Sequence, residues 1–426
     1  MKVLFVNTSE LTGGAAVAAG RIMRVLQEKG VEARMLVRDR STDDPSVLSL
    51  QPSWRLRRNF LWERLVIWAS NRFSRQNLFA VDIANAGTDI TTRPEFREAD
   101  LIHLHWINQG FLSLRDLERI FRSGKPVVWT MHDMWPCTAI CHHARECTEY
   151  HTECRACPFL KNHGPLLNLA RSCFRHKARI YADAPLHFVT CSQWLKKQAE
   201  QSALLKGKEI CAIPNPIDPQ AFRPMDKAEA RKHWGNLLPE GKKFILFGAC
   251  KFTDKRKGID YFIDACRILA GKHPEWTADG RLGIAIFGQG DEQVNAQIPF
   301  PVYPLGYLKS GKEMALAYNA ADLFVTPSLE ENLPNTIMEA MACGLPCAGF
   351  RIGGIPEMID HKRNGFLAKY KSAEDLAEGM AYLLGAPNYE ELSREAINKV
   401  ARCYDPAVVG EKYLQLYRNI LAQTKL

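Results

Sequence analysis

The sequence predicts an α/β protein made of two successive doubly wound domains, and three observations lead to this prediction. The chain has 426 residues, too many for one ordinary core, since a domain usually holds about 150 residues. Short apolar runs of strand length alternate with segments of helical periodicity, which is the pattern of a parallel sheet covered by helices. Residues 214–219, with three prolines, separate one series of such units from a second.

The first series begins with a short apolar run at residues 2–7, which indicates a strand buried on both faces. A loop leads from it into a helix at residues 15–29, and Gly30 stands where a helix C-cap is expected. The other elements predicted in this series are strands at residues 31–37, 101–105, 126–130, 187–190 and 210–213 and a helix at residues 112–122.

The second series repeats the pattern, with a strand at residues 244–249, a basic loop and a helix at residues 259–270. The last predicted helix, residues 408–421, carries Leu414, Tyr417 and Leu421 on one stripe, so it must pack against other residues. The remaining elements predicted in this series are strands at residues 282–287, 323–325 and 346–350 and a helix at residues 336–343.

The composition is that of a globular protein, with 46% hydrophobic and 24% charged residues, which excludes disorder, collagen and coiled coil. No run approaches the roughly 18 apolar residues of a membrane span, and the apolar start is too short for a signal peptide. We therefore expect a cytosolic protein, or one that rests on a membrane.

The charge is unevenly distributed. The net charge is +9; residues 1–213 hold 30 Lys and Arg against 21 Asp and Glu, and residues 214–426 hold 26 against 26. Because the whole excess lies in the first half, the two halves are expected to meet different partners.

The loops that follow strands are where ligands bind in parallel sheets. The dinucleotide fingerprint G-x-G-x-x-G is missing after the first strand, and the Walker phosphate-binding motif is also missing, which argues against both classes of nucleotide-binding protein. Gly13 and Gly14 nevertheless expose backbone N–H groups where a helix starts, an arrangement suited to an anion.

The strongest motif covers residues 327–344, where a strand enters a polar loop and then a helix. Glu331 lies in the loop and Glu339 inside the helix, so their carboxylates are suited to binding sugar or ribose hydroxyls. This spacing resembles the E-x7-E signature of the family 4 glycosyltransferases. Further matches to the family lie at residues 13–14, 130–133, 213–215, 255–258, 353–357 and 364–367.

The resemblance implies the GT-B fold, in which two Rossmann-like domains face an interdomain cleft. It implies an acceptor domain at residues 1–213, a donor domain at residues 214–405, and a final helix at residues 406–426 that packs back on the first domain. No Asp-x-Asp motif is present. This motif is the usual metal anchor of the other large glycosyltransferase fold, so we expect no cofactor to be required for catalysis.

The resemblance also assigns roles to individual residues. His132 and Glu331 are the expected catalytic pair, with His132 beside the donor sugar and Glu331 on its hydroxyls. The residues expected to bind the rest of the donor are Gly13, Gly14, Lys251, Lys257, Asn335 and Glu339. Lys251 stands where the family usually has Arg, and an ammonium cannot make the bidentate contact of a guanidinium.

A cluster of cysteines at residues 137–157 follows His132. Cys141, Cys147, Cys154 and Cys157 are candidate ligands of a structural zinc ion, because four thiolates complete a tetrahedral site and Cys154 and Cys157 have the spacing of a zinc knuckle. Disulfides and unliganded thiols stay open as alternatives. The cluster resembles an insertion found in a subset of the same glycosyltransferases. It lies within an α/β domain, which disfavours a nucleic-acid-binding zinc module.

Residues 53–75 form a basic segment with six arginines and one glutamate. On a helical wheel Leu61, Trp62 and Leu65 share one arc with Val66, Trp68 and Ala69. Such a helix can lie on an anionic membrane, or it can pack into the core with arginines at its rim.

These observations predict a retaining glycosyltransferase that moves a sugar from a UDP- or GDP-linked donor to a glycan or lipid-linked acceptor. We expect a role in cell-surface polysaccharide synthesis, a cytoplasmic location with peripheral contact to the inner face of the membrane, and no nucleic-acid partner. The alternative is a non-catalytic, basic, zinc-stabilised binding protein on a degenerate scaffold of the same fold.

Overall fold

The computed structural model describes residues 1–51, 53–161, 168–251, 254–289 and 292–424. The chain divides into two compact units. The first comprises Met1–Asn215 and Val409–Leu426, and the second comprises Pro216–Val408. The C-terminal segment therefore belongs to the first unit, although it follows the second unit in the sequence.

The first unit is built on a seven-stranded parallel sheet with the order β3-β2-β1-β4-β5-β6-β7. Its strands are β1 Lys2–Ser9, β2 Glu32–Asp39, β3 Val47–Ser49, β4 Leu101–Leu104, β5 Val127–Met131, β6 Leu186–Thr190 and β7 Glu209–Ala212. Its helices are α1 Gly14–Glu28, α2 Ser53–Ser70, α3 Pro94–Glu98, α4 Leu114–Arg122, α5 Leu169–Tyr181 and α6 Gln193–Glu200.

Helices cover both faces of this sheet, because successive side chains of a strand point to opposite faces. Leu4 and Val6 of β1 join a core that includes residues of α2, α4 and α5. Val3 and Phe5 face the other way and pack with α1 and with the last helix of the chain, α16 Pro406–Thr424. Strand β1, which the sequence predicts to be buried on both faces, is thus covered by helices on each side.

The second unit has a six-stranded parallel sheet with the order β10-β9-β8-β11-β12-β13. Its strands are β8 Lys243–Lys251, β9 Leu282–Gln289, β10 Val302–Gly306, β11 Leu323–Thr326, β12 Cys347–Phe350 and β13 Gly365–Ala368. Its helices are α7 Lys227–Trp234, α8 Ile259–Lys272, α9 Pro274–Ala278, α10 Glu292–Asn295, α11 Gly311–Ala320, α12 Asn335–Ala342, α13 Ile355–Met358, α14 Ala373–Gly385 and α15 Tyr389–Cys403.

Ile245 and Phe247 of β8 pack with α8 and α14 in the core of this unit. The alternate residues Phe244 and Leu246 are also fully buried. In both units the first strand lies next to the fourth: β1 is the neighbour of β4, and β8 is the neighbour of β11. In such sheets the strand order reverses between these two strands, and the loops at their carboxyl ends form the expected ligand site.

Candidate functional site

In the second unit the order reverses between β8 and β11, which are hydrogen-bonded neighbours. Lys257 lies in the loop after β8, and Glu331 lies in the loop after β11. Since both strands are parallel, their carboxyl ends meet at one edge of the sheet. Two residues 74 positions apart in the sequence are therefore brought to the same place.

Lys257 and Glu331 form an ion pair, with Lys257 Nζ 2.8 Å from Glu331 Oε2. The negative charge of Glu331 raises the pKa of Lys257 above its ordinary value, so the ammonium is retained at neutral pH. The two side chains are 34% and 19% exposed and are thus accessible to a ligand. The residues expected to bind separate parts of a donor bind each other in this structure.

Two glycines allow these loops to approach backbone to backbone. Gly258 has φ +69°, and a Cβ atom there would lie 1.9 Å from the carbonyl oxygen of Pro327. Gly353 has φ +57°, and a Cβ atom there would lie 1.7 Å from the carbonyl oxygen of Glu331. Only glycine combines this backbone conformation with so close a contact. The position of the ion pair therefore depends on two glycines, which have no side chain to contact a ligand.

Helix α12 begins at Asn335, directly after the loop that carries Glu331, with no side-chain cap among the described contacts. Its first turn thus offers backbone N–H groups at the carboxyl edge of the sheet, as an anion site requires. Glu339 lies one turn further and is only 6% exposed; it accepts a hydrogen bond of 3.4 Å from the Tyr318 hydroxyl. Lys251 ends β8, but its side chain lies outside the described part of the structure.

In the first unit the strand order reverses between β1 and β4. Gly13, with φ +91°, is the N-cap of α1, and Gly14 is the first residue of that helix. A Cβ atom at Gly13 would meet nothing within 4 Å, so the backbone conformation, and not crowding, favours glycine at this position. These glycines lie at the carboxyl end of β1, as expected for an anion site.

His132 follows β5 directly and contacts residues from the two neighbouring strand ends. Its Nε2 lies 2.9 Å from His105 Nδ1, and its Nδ1 lies 3.6 Å from Cys191 Sγ. Burial lowers the pKa of His132 to about 4, so the imidazole is neutral at physiological pH. A neutral ring can orient a polar group but does not supply a fixed positive charge.

Beneath this histidine, α16 provides two tyrosines that hydrogen-bond to the sheet. Tyr417 OH lies 2.6 Å from His103 Nδ1, and His103 Nε2 lies 2.7 Å from Thr130 Oγ1. Tyr413 OH lies 3.1 Å from the same threonine oxygen. The last helix therefore supports the strand β5 that carries His132, beyond its apolar packing.

A chain of buried charged groups, which the sequence patterns do not reveal, lies beside His132. His142 bridges two carboxylates, with Nδ1 2.7 Å from Asp133 Oδ2 and Nε2 2.6 Å from Asp82 Oδ2. Asp82 also pairs with Arg64 of α2, which in turn lies 3.2 Å from Glu63. Arg64, one of the six arginines of the basic segment at residues 53–75, is thus a buried residue.

The charges of these buried side chains balance. Burial raises the pKa of Asp133, but the adjacent His142 outweighs this effect and lowers the pKa to about 2. Burial lowers the pKa of His142, yet the two carboxylates raise it to about 10. Burial also raises the pKa of Glu63 to about 8, which leaves it neutral at pH 7. Two cations and two carboxylates remain, as a buried network requires.

The four candidate zinc ligands line one small cavity of about 10 Å³, together with Tyr150 and Phe159. Burial raises the pKa of Cys157 to about 11 and that of Cys154 to about 12, so both are thiols. Across the described ranges, no three His, Cys, Asp or Glu side chains are arranged to hold a metal ion. The structure thus gathers the predicted ligands around one cavity. The described cysteines are all free thiols.

The exposed face of α2 is rich in large apolar residues. Trp54, Leu61, Trp62 and Leu65 are 49–58% exposed, and Phe73 after the helix is 66% exposed. The arginines at positions 55, 57 and 58 are exposed on the same helix, whereas the face with Ile67 is buried. Leu61, Trp62 and Leu65 of the arc predicted for this helix therefore face solvent, whereas Val66 of the same arc packs against the core. In the part of the chain that the structure describes, no helix is long and apolar enough to cross a membrane.

Both halves of the chain match protein families. Residues 12–221 match the family described as Glycosyltransferase Family 4, and residues 241–386 match Glycosyl transferases group 1. These two matches cover most of the sequence. They do not favour the alternative of a non-catalytic binding protein.

Two curated relatives match about half of the chain. An uncharacterized glycosyltransferase of Haemophilus influenzae is 29% identical over 196 residues, 43% of this chain and 52% of the relative. The N,N'-diacetylbacillosaminyl-diphospho-undecaprenol alpha-1,3-N-acetylgalactosaminyltransferase of Campylobacter jejuni is 27% identical over 223 residues, 51% of this chain and 56% of the relative. The chain thus spans about half the length of these relatives.

The fold is that of a solved structure, Anabaena HepE in complex with UDP and glucose. The TM-score is 0.63 at 17% sequence identity, over 98% of this chain and 100% of HepE. This similarity confirms the predicted fold class, GT-B, with two α/β domains whose parallel sheets are of Rossmann type.

Proposed function

The chain belongs to the glycosyltransferases of GT-B fold, and from this we propose that it is a retaining enzyme that moves a sugar from a nucleoside-diphosphate sugar to a glycan or lipid-linked acceptor. One observation carries the proposal: the 2.8 Å ion pair of Lys257 and Glu331 at the point where the strand order of the second unit reverses. A cation for phosphate and a carboxylate for hydroxyls are the two groups that such a donor needs.

When a donor binds, its diphosphate replaces Glu331 as the partner of Lys257. The freed carboxylate then accepts hydrogen bonds from the sugar hydroxyls, while Glu339 accepts those of the ribose. The diphosphate also meets the N–H groups at Asn335 of α12. Gly13 and Gly14 of the first unit stay predicted ligands of the donor phosphate. Lys251 supplies a second cation. These groups require no metal ion to neutralise the phosphates.

During transfer, the bond from the anomeric carbon to the diphosphate oxygen breaks, and this oxygen keeps the electron pair. The acceptor hydroxyl oxygen bonds to the same face of the sugar and gives its proton to the departing diphosphate. Lys257 stabilises the charge that develops on the leaving group, and Glu331 stabilises the oxocarbenium-like sugar. The neutral His132 orients the sugar beside the reacting carbon.

Two substitutions test the donor site, Lys257→Ala and Glu331→Gln, with Lys255→Ala as the matched control. Lys255 lies in the same turn but is exposed. The substrate panel comprises UDP-glucose, UDP-galactose, UDP-N-acetylglucosamine, UDP-N-acetylgalactosamine, GDP-mannose and GDP-fucose. We expect one of them to bind in calorimetry and to be turned over at least about 100-fold more slowly by each site variant. Binding of none of the six, or wild-type turnover by both site variants, would contradict the proposal.

We further propose that the acceptor is lipid-linked and serves cell-surface polysaccharide synthesis. The name of the Campylobacter relative includes a diphospho-undecaprenol substrate, which is a membrane lipid. The exposed apolar side chains of α2 stand among arginines, and this combination suits the surface of an anionic membrane. The protein then rests on the cytoplasmic face of the membrane, close to an acceptor that is anchored there.

Vesicle sedimentation tests this contact. The double variant Trp62→Ser, Leu65→Ser removes two apolar side chains that are about half exposed. Inserting both should contribute on the order of 3 kcal/mol, so the variant should bind phosphatidylglycerol vesicles about 100-fold more weakly than the wild type. Tyr307→Ser, 57% exposed in the second unit, is the control and should bind like the wild type. Equal binding by all three proteins would refute the assignment of this surface.

We also propose that Cys141, Cys147, Cys154 and Cys157 hold a structural zinc ion. The cavity they share has room for one small ion, and thiolates are preferred ligands of zinc. These four cysteines would hold the ion as thiolates. The bound ion would stabilise the segment that follows His132 and would have no part in the transfer.

A further inference from the structure

His142 lies between two carboxylates that come from different parts of the first unit. Both ring nitrogens form hydrogen bonds: Nδ1 lies 2.7 Å from Asp133 Oδ2, and Nε2 lies 2.6 Å from Asp82 Oδ2. The Asp82 and Asp133 side chains are 1% and 12% exposed, and that of His142 is 10% exposed. The imidazole is therefore a fixed link with little access to water.

The backbone around His142 is held on two sides as well. Its N–H donates to the carbonyl of Ala80 at 3.2 Å, and its own carbonyl accepts from the Met134 N–H at 2.8 Å. The Asp82 N–H donates to the carbonyl of Ile140 at 2.8 Å. The cysteine-rich segment is thus paired to residues 80–82 on one side and to the loop after β5 on the other.

Asp133 is the next residue after His132, and its carboxylate has three partners. Besides His142, it accepts 2.8 Å hydrogen bonds from Trp106 Nε1 and from the backbone N–H of Trp135. Trp106 follows β4, so the carboxylate links the ends of two neighbouring strands. Fixing this side chain fixes the peptide that carries His132.

We propose that His142 is a positioning residue for His132: through Asp133 it holds the loop after β5 in the place that the sugar requires. The inference rests on the proposed function, because it needs His132 to act on the donor sugar. It assigns the cysteine-rich segment a specific task, which is to deliver one imidazole to the edge of the active site. Apolar packing of the segment could not provide this, since it does not set direction, whereas two short hydrogen bonds do.

The reaction rate is sensitive to such positioning, because a displacement of about 1 Å can lower the rate of an enzyme about 100-fold. His142→Gln removes at least one of the two hydrogen bonds. We expect kcat for hydrolysis of the donor selected from the panel, with water as acceptor, to fall about 10- to 100-fold. The KM for the donor should change less than about twofold, since its main contacts lie in the second unit.

A double-mutant cycle separates positioning from general destabilisation. If His142 acts through His132, adding His142→Gln to His132→Ala should lower kcat by less than about twofold. Trp106→Phe keeps an aromatic ring but removes a donor to Asp133, and it should show a smaller loss of kcat that also disappears in the His132→Ala background. This milder variant keeps the test available if His142→Gln does not fold.

Glu153→Gln is the matched control within the cysteine-rich segment. Glu153 pairs at the surface with Arg155, Arg171 and Arg175 and should leave kcat unchanged. The inference is overturned if His142→Gln and Trp106→Phe have wild-type kcat, or if they lower kcat equally with and without His132. A wild-type rate for His132→Ala alone would instead defeat the proposed role of His132.

Discussion

Gly258→Ala tests whether the contact between two backbones builds the donor site. At φ +69° an alanine costs about 1–2 kcal/mol relative to its ordinary conformations. The added Cβ would also lie 1.9 Å from the carbonyl oxygen of Pro327, so the two loops must separate. This separation breaks the 2.7 Å hydrogen bond from the Leu329 N–H to the Arg256 carbonyl, worth about 1 kcal/mol. We expect the free energy of unfolding to fall by about 2–3 kcal/mol.

Gly280→Ala is the control that isolates the contact. Gly280 also has a positive φ, +57°, but the nearest atom to an added Cβ is the flexible Lys242 Nζ at 3.8 Å. It precedes β9 and so lies at the amino edge of the sheet. Its substitution should therefore cost only the backbone term, about 1–2 kcal/mol.

Urea denaturation followed by circular dichroism measures both stabilities, and calorimetry with the selected donor measures affinity. Separation of the two loops also displaces Lys257, so Gly258→Ala should weaken donor binding at least about tenfold, while Gly280→Ala should not. If the two variants lose equal stability and bind the donor equally well, the close approach does not form the site.

Three further predictions concern the first unit. Burial lowers the pKa of Lys177 to about 7, against 10.5 in the unfolded chain. Between pH 7 and 10.5 the unfolded chain therefore binds more protons than the folded protein. Because of this difference, Lys177 makes the free energy of unfolding rise with pH over this range. The rise should be about 1 kcal/mol per pH unit, and Lys177→Met should remove it from the free energy of unfolding measured between pH 7 and 10. If the free energy of unfolding rises equally with pH in the wild type and in Lys177→Met, this prediction is wrong. Tyr417→Phe removes the 2.6 Å hydrogen bond to the buried His103. The free energy of unfolding measured with urea should fall by about 1–3 kcal/mol. A fall of less than about 0.5 kcal/mol would contradict the presence of this hydrogen bond. The wild-type protein purified under reducing conditions should contain one zinc ion per chain by mass spectrometry. The Cys154→Ser variant should contain no zinc and should have a lower Tm. A folded wild-type protein without zinc would refute the proposed metal site.

Much of the fold could be predicted from the sequence because the signals are local. The predicted strand at residues 244–249 lies within β8 Lys243–Lys251, and the predicted helix at residues 336–343 differs from α12 Asn335–Ala342 by one residue at each end. Burial on both faces leaves strands apolar throughout, and glycines and prolines mark their ends. Strand β3, with three residues, is too short for such a signal.

The candidate site was less accessible to prediction. The family resemblance predicts that Lys257 and Glu331 bind separate parts of the donor, but their ion pair requires β8 and β11 to be neighbours. Arg64 and His142 carry no sequence signal of their role. Arg64 reads as one of several surface arginines, and His142 as one of several histidines interleaved with cysteines, because each acquires its partner only when distant segments pack together.

The α/β class, the two series of units and the candidate donor ligands could be predicted from residue order, because periodicity and loop motifs are local features of the chain. Which charges are buried and which are exposed depends instead on how distant segments pack. The tertiary structure placed Arg64 inside and Trp62 outside on the same helix, and it joined His142 to Asp133 and Asp82. Electrostatic energy depends on distance and on access to water, and neither is a property of sequence order.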